Sequence, residues 1–210
     1  MRFLFSLFVS IILLYPAASS AQTWKMVSPG PCDTGGEGGG GSDPSGFPAA
    51  TTLDASCASL SIGQTCHDSA GLEVFYLGSL NGKRLYSMMS DISTNSAYKS
   101  EATAGGGPSQ SDGMVNTSVM TLPTNLMYYP AAVACKAVGI SYYLPARDEL
   151  TLFWTNRAQI NFSAKGIATT QYYWSSSEAA TNTAHARYLG SDSPSPQNKG
   201  NSLYVRCIRQ

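Results

Sequence analysis

The chain has 210 residues, of which 12 % are charged, and its 13 lysines and arginines balance 13 aspartates and glutamates. That balance lacks the basic patch or stripe by which a nucleic-acid binder is recognised. A composition poor in charge but rich in Ser, Thr, Asn, Gly and Tyr suits contact through uncharged hydrogen bonds and aromatic faces.

The first residues, MRFLFSLFVSIILLYPAASSAQT, set Arg2 ahead of a predominantly apolar run from Phe3 to Leu14, followed by Pro16 and small residues. This is the layout of a secretory signal peptide, residues 1 to 21, with cleavage expected after Ala21. Its loss removes Arg2 from the 13 basic residues and leaves 12 against 13 acidic ones, a net charge near −1. No later stretch approaches the roughly 20 apolar residues of a membrane span, so the exported chain is expected in the periplasm, at the cell surface or outside the cell. Cys32, Cys57, Cys66, Cys135 and Cys207 all fall in the exported part, where thiols oxidise in pairs. Five is odd, so one is left free or bridges two chains.

Residues 28 to 48, SPGPCDTGGEGGGGSDPSGFP, have no apolar period and lack the strict triplet of a collagen-like helix. Residues 22 to 48 therefore read as a flexible tether. Residues 49 to 71 set Cys57 and Cys66 among small residues and read as a short stapled lead-in to the main domain, residues 72 to 210. There LEVFYLG and RLYSMM flank Asn81-Gly82, the signature of a tight hairpin. TAGGGPSQSDG reads as a mobile loop. In LMYYPAAVACKAVG, Pro130 marks a helix start and Gly139 lies past its end, with Ala131, Ala134, Cys135 and Val138 on one face. A second helix opens at YYLPARDELTLFWTNR. Pro145 is expected in its first turn, Asp148 and Glu149 near its positive end, and Leu150, Phe153 and Trp154 facing inward. Strands follow at Tyr172 to Ser177 and Ala184 to Leu189, then a polar loop GSDSPSPQNKGN and a closing strand SLYVRCI. The predicted fold class is α+β: two short helices packed on small twisted antiparallel sheets, tied by disulfides.

Catalytic chemistry finds few candidates. His67 and His185 are far apart in sequence and belong to no HExxH, GxSxG does not occur, and the SxxK match at Ser96 to Lys99 lacks its KTG companion. No catalytic residue, metal or cofactor is assigned.

YLPARDEL, YYWSSSE some two dozen residues on, and the closing VRCIR follow LNGKRLY, SDGMVNT and YYPAAVACKAVG. In that order, over about Leu72 to Gln210, they resemble the Lcl C-terminal domain family, bacterial secreted and surface domains with a C-type-lectin-like fold. Residues 22 to 71 lie outside the resemblance. It implies a disulfide between Cys135 and Cys207, leaving Cys32, Cys57 and Cys66 to share one more, most simply Cys57 with Cys66. Formylglycine-generating enzymes have a distantly related fold and use cysteines, so a locked Cys135–Cys207 pair counts against that chemistry. The calcium-binding tripeptides of sugar-binding relatives, EPN, QPD and WND, do not occur. The few carboxylates near the loops, Asp192 and Glu178, are too sparse for a hard cation.

In YYWSSSE, strand alternation sets Tyr172, Trp174 and Ser176 on one face and Tyr173, Ser175 and Ser177 on the other, one of the two being core. Trp174 is expected to be a packing residue, and Glu178 to pair with Arg147 or Arg206. The motif is then scaffold. The resemblance places the ligand face in the loops that follow, residues 179 to 202, with His185, Arg187, Tyr188, Asp192, Gln197 and Asn198 as candidates, and with Lys165, Arg187 and Lys199 as a small basic patch. The expected function is a secreted, non-catalytic recognition or adhesion module for a glycan or a surface protein, able to form homo-oligomers through an unpaired cysteine. Its rivals are a structural or assembly subunit of a surface appendage, and an enzyme with an unrecognised site on a formylglycine-generating-like fold.

Overall fold

A computed structural model describes residues 46 to 101 and 105 to 210. The expected signal peptide, nearly all of the tether, and Cys32 lie outside the described residues. A 3-10 turn at Ala55–Ser59 brings Cys57 to Cys66 in strand β1 (Thr65–His67), and the two are disulfide-bonded. β1 pairs antiparallel with β2 (Glu73–Leu80), so the stapled lead-in is an edge strand of the main sheet. Asn81 and Gly82 take φ of 52° and 76°, the left-handed values that a two-residue turn requires, and return the chain as β3 (Lys83–Met88).

β4 (Ser93–Ser96) is followed by three helices where two were expected: α1 (Gly113–Met120), α2 (Pro130–Lys136) and α3 (Arg147–Thr155). α1 escapes a search for apolar periodicity because its buried stripe, Gly113, Asn116, Thr117 and Met120, holds one large apolar side chain. Asn116 and Thr117 are buried while Val115 and Val119 are exposed, and Asp112 caps its start by accepting the Val115 N–H at 3.0 Å. The segment from Gly105 to Asp112, expected to be mobile, is instead pinned to the second sheet. Gly107 bridges Ser177 and its carbonyl accepts the Glu178 N–H at 2.8 Å. α2 starts at Pro130 as expected and buries Ala131 and Cys135, with Ala132 and Lys136 in place of the half-buried Ala134 and Val138. Pro145 lies just before α3, not in its first turn, and Trp154 is half-buried beneath the Arg157 guanidinium, 4.0 Å from its ring, while Leu150 and Phe153 pack inward.

The chain continues as β5 (Tyr172–Ala180), β6 (Thr183–Tyr188), β7 (Ser193–Asn198), β8 (Leu203–Val205) and β9 (Ile208–Arg209). The sheets run β1-β2-β3-β9 and β4-β8-β5-β6-β7. The closing strand therefore changes sheets at Arg206 and Cys207, and Cys207 is bonded there to Cys135 of α2. The architecture is α+β with three helices, two sheets and two disulfides. Among the described residues no helix is long and apolar enough to cross a membrane.

The polar stretch GSDSPSPQNKGN, expected to be a loop, contains the edge strand β7. Pro194 and Pro196 occupy alternate positions, and a ladder admits proline only where the nitrogen points away from the partner strand. β5 also departs from expectation, because it buries both faces. Tyr173 packs with Phe75, Leu150 and Phe153, whereas Trp174 packs with Tyr98, Leu144 and the Cys135–Cys207 pair.

Candidate functional site

The middle of β5 joins separate segments of the chain. The indole N–H of Trp174 donates to Ser96 O at 2.8 Å, and the Ser175 hydroxyl donates to His185 O at 2.8 Å. Ser176 Oγ accepts from Asn116 of α1 at 3.1 Å, while Ser177 Oγ donates to Ser109 O and accepts the Arg147 N–H of α3 at 2.9 Å. Three buried hydroxyls thus reach β6, both flanking helices and the loop before α1, and each satisfies a donor or acceptor that burial would otherwise leave costly. The Asp148 N–H of α3 finds Gln110 O at 2.9 Å, so the free amides of that helix start are answered by tertiary partners.

The expected pairing of Glu178 with an arginine does not form. Glu178 pairs with Lys199, Arg147 with its neighbour Asp148, and Arg206 with Asp91 at 2.6 Å. Arg206, fully buried, also donates to the carbonyls of Met88, Lys165 and Gly166. At the other end of the first sheet, Arg209 donates to Asp68 at 2.9 Å and to Thr51. Burial pulls the Asp68 carboxyl upward, but bonds from Tyr142, Thr51, Leu72 and Ala70 outweigh it and hold the group below its ordinary value. Beneath the start of α3, burial lifts the Glu149 carboxyl to about 7, against bonds from the Ala146 and Gly113 N–H groups and the Tyr143 hydroxyl. These groups are structural.

Register sorts the six candidate ligand residues onto two faces, because directly opposed residues of neighbouring strands point the same way. Tyr172, Tyr188 and Ser193 form one row, Trp174, Ala186 and Ser195 the next, and Glu178, Ala184 and Gln197 a third, all on one face, whose Trp174, Ala184 and Ala186 are buried in the core. Tyr173, Arg187 and Pro194, then His185 with Pro196, then Thr183 with Asn198, lie on the opposite face, which meets α3. Arg187 is buried there, bonded to Asp192 in the turn before β7 and to Thr151 of α3 at 2.6 Å. It is a fastening for the helix, not a ligand group at the surface. Partial burial and the nearby Arg147 guanidinium push the His185 imidazole below its ordinary value, with Asp148 opposing. Lys199 is buried as well, so the expected basic patch of Lys165, Arg187 and Lys199 does not form.

What remains together is a strip on the first face: Tyr172 and Tyr188, their ring centroids 5.3 Å apart, then Ser193, Ser195 and Gln197 along β7, all half-buried. Gln197 donates to Ser195 Oγ at 3.2 Å. A Cβ at Gly190 would stand 2.7 Å from the Tyr188 ring and 2.2 Å from Thr169 O, so only glycine lets the ring lie where it does. Tyr188 and Gln197 were among the sequence candidates, whereas Tyr172, Ser193 and Ser195 were not. The signal for Tyr172 was present in its strand alternation with Trp174, but the two serines sat in a stretch read as loop. Among the described residues no three His, Cys, Asp or Glu side chains stand close enough to hold a metal ion. No protein-family model matches the chain, and no characterised protein matches it at a significant level.

Proposed function

We propose that the protein is an exported, non-catalytic recognition or adhesion module of C-type-lectin-like fold, carried on its glycine-rich tether, that binds a surface ligand through the β5 to β7 sheet. The observation that carries this reading is the strip of Tyr172, Tyr188, Ser193, Ser195 and Gln197. It sets two aromatic rings beside hydroxyl and amide groups at the edge of the sheet. Around it, Arg187, Lys199, Arg206 and Arg209 are each engaged by a carboxylate, and the four described cysteines are in disulfides. The strip is half-buried, and on the same edge strand Pro194, Pro196 and Asn198 are exposed on the opposite face. Screening the full chain on glycan and surface-polymer arrays, with and without chelator, tests the reading. Binding that survives chelation and is lost in a Tyr188→Ala, Gln197→Ala double variant supports it, and binding indifferent to both changes rejects this site.

A second reading, a structural or assembly subunit, draws on α1. Val115 and Val119, one turn apart, are exposed together with Leu122 and Met127 just beyond the helix. Sedimentation of the full chain beside a Val115→Ser, Val119→Ser variant tests it: a parent oligomer that dissociates in the variant would favour assembly.

A further inference from the structure

Among the described residues, five large apolar side chains are exposed, and four of them, Val115, Val119, Leu122 and Met127, lie on α1 and the turns that follow it; the fifth is Ile92. Met127 is the most open, at 75 % exposure. Its backbone is nonetheless held in place. The Ser100 hydroxyl donates to Met127 O at 3.4 Å and the Ser100 N–H to Tyr128 O at 2.8 Å, while the Asn125 amide fastens the turn to α1 by donating to Val119 O at 2.8 Å. A cluster of exposed apolar groups of this kind marks a contact surface.

Beside the cluster opens a cavity of about 350 Å³, with Val119, Asn125, Tyr128 and Tyr129 among its walls. Val119 belongs to the exposed face of α1 and Tyr128 follows Met127, so the cavity and the projecting methionine are neighbours on one surface. A methionine side chain is unbranched and adapts to an irregular hole. A surface that carries such a knob beside such a hole complements itself, because a two-fold rotation brings knob to hole twice.

Charge decides whether that rotation is allowed. An isologous contact presses the same patch of both copies together, so a patch of one sign would meet like charge. No Asp, Glu, Lys, Arg or His stands between Gly113 and Cys135 in the sequence, and the charged residues of the cavity wall, Lys99 and Glu101, have opposite signs. Neither feature opposes self-contact.

Resting on the assembly reading, we infer that the partner at α1 is a second copy of this chain. In a two-fold dimer, Met127 of each copy enters the cavity of the other, and Val115, Val119 and Leu122 pack around it. α1 is about 12 Å long, so the seam is small and the dimer belongs with the weaker contacts, on the order of micromolar.

The test is sedimentation of the full chain from about 1 to about 100 μM, with Cys32→Ser in every sample to remove any covalent bridge through that thiol. Met127→Ala deletes the knob and keeps the cavity, whereas Val119→Trp blocks the cavity and keeps the knob. Both positions are exposed, and melting temperatures check that both variants fold. The expected result is a dimer weakened roughly tenfold or more by each change alone. An equal mixture of the two variants should dimerise more tightly than either, since one intact knob then faces one intact cavity. A mixture no tighter than its components would overturn the pairing of knob and cavity and leave α1 as an assembly surface. A dimer indifferent to both changes would overturn the inference, and one that also survives Val115→Ser, Val119→Ser would remove α1 from the assembly reading as well. A parent that stays monomeric throughout would overturn the second copy as the occupant and leave a different subunit as the partner that assembly requires.

Discussion

Lys199 is buried without measurable exposure and donates to the Glu178 carboxylate, whose side chain is 20 % exposed. The partners are 21 residues apart in sequence, at opposite ends of the β6 to β7 excursion, and the ammonium also reaches Thr181 O at 2.8 Å. The pair is asymmetric because only the carboxylate has access to water. Glu178→Ala takes the carboxylate from a buried ammonium and should cost about 3 kcal/mol, whereas Lys199→Met lets the carboxylate rehydrate and should cost clearly less. Denaturant unfolding of the two variants reads the difference, and the reverse order would show that the pair is not held as described.

Arg206 offers a comparison of shape at constant charge. Its guanidinium reaches Asp91 and three backbone carbonyls at 2.6 to 3.0 Å, and a lysine ammonium, donating from a single point, cannot span that set. Arg206→Lys should therefore lose about 3 kcal/mol despite keeping the charge. A melting temperature equal to that of the parent would mean that charge alone suffices.

The two disulfides close loops of very different size, with sequence separations of 72 for Cys135–Cys207 and 9 for Cys57–Cys66. Chain entropy assigns about 4 kcal/mol to the longer loop and roughly 2.5 kcal/mol to the shorter. Paired serine substitutions, made one bridge at a time, should reproduce that order in urea midpoints.

Two carboxyls pull the pH dependence in opposite directions. Glu149, raised by burial from 4.5 to about 7, holds its proton more tightly in the folded state. Its contribution is fully present below pH 4.5 and is lost as the pH rises through about 7. Asp68, lowered from 3.8, contributes above that value and loses its contribution as the pH falls through its folded value. Glu149→Gln should flatten the decline in melting temperature between pH 4.5 and 7 while leaving the acid limb, and a decline that persists in the variant would assign it to another group.

Local chemistry was legible in the sequence where a residue acts on its neighbours. Asn81-Gly82 makes its turn, Pro130 starts its helix, and Leu150 and Phe153 pack inward as their spacing indicates. α1 was hidden because its buried stripe is Gly113, Asn116, Thr117 and Met120, in which Met120 is the one large apolar residue. β7 was hidden because Pro194 and Pro196 read as loop residues unless the strand is known to be an edge. Ion-pair partners were the least legible. Glu178 could be seen to need a cation, but choosing Lys199 over Arg147 or Arg206 depends on a register set by the whole sheet. The same register divides the six candidate ligand residues between two faces, which alternation within one strand shows only after the strand is known to exist.

The prolines of β7 also matter when many copies share one surface. An outer strand with a full row of N–H donors would let crowded neighbours zip edge to edge into extended sheets. Without donors at 194 and 196, the outer edge of β7 lacks the continuous row of N–H groups that such growth requires.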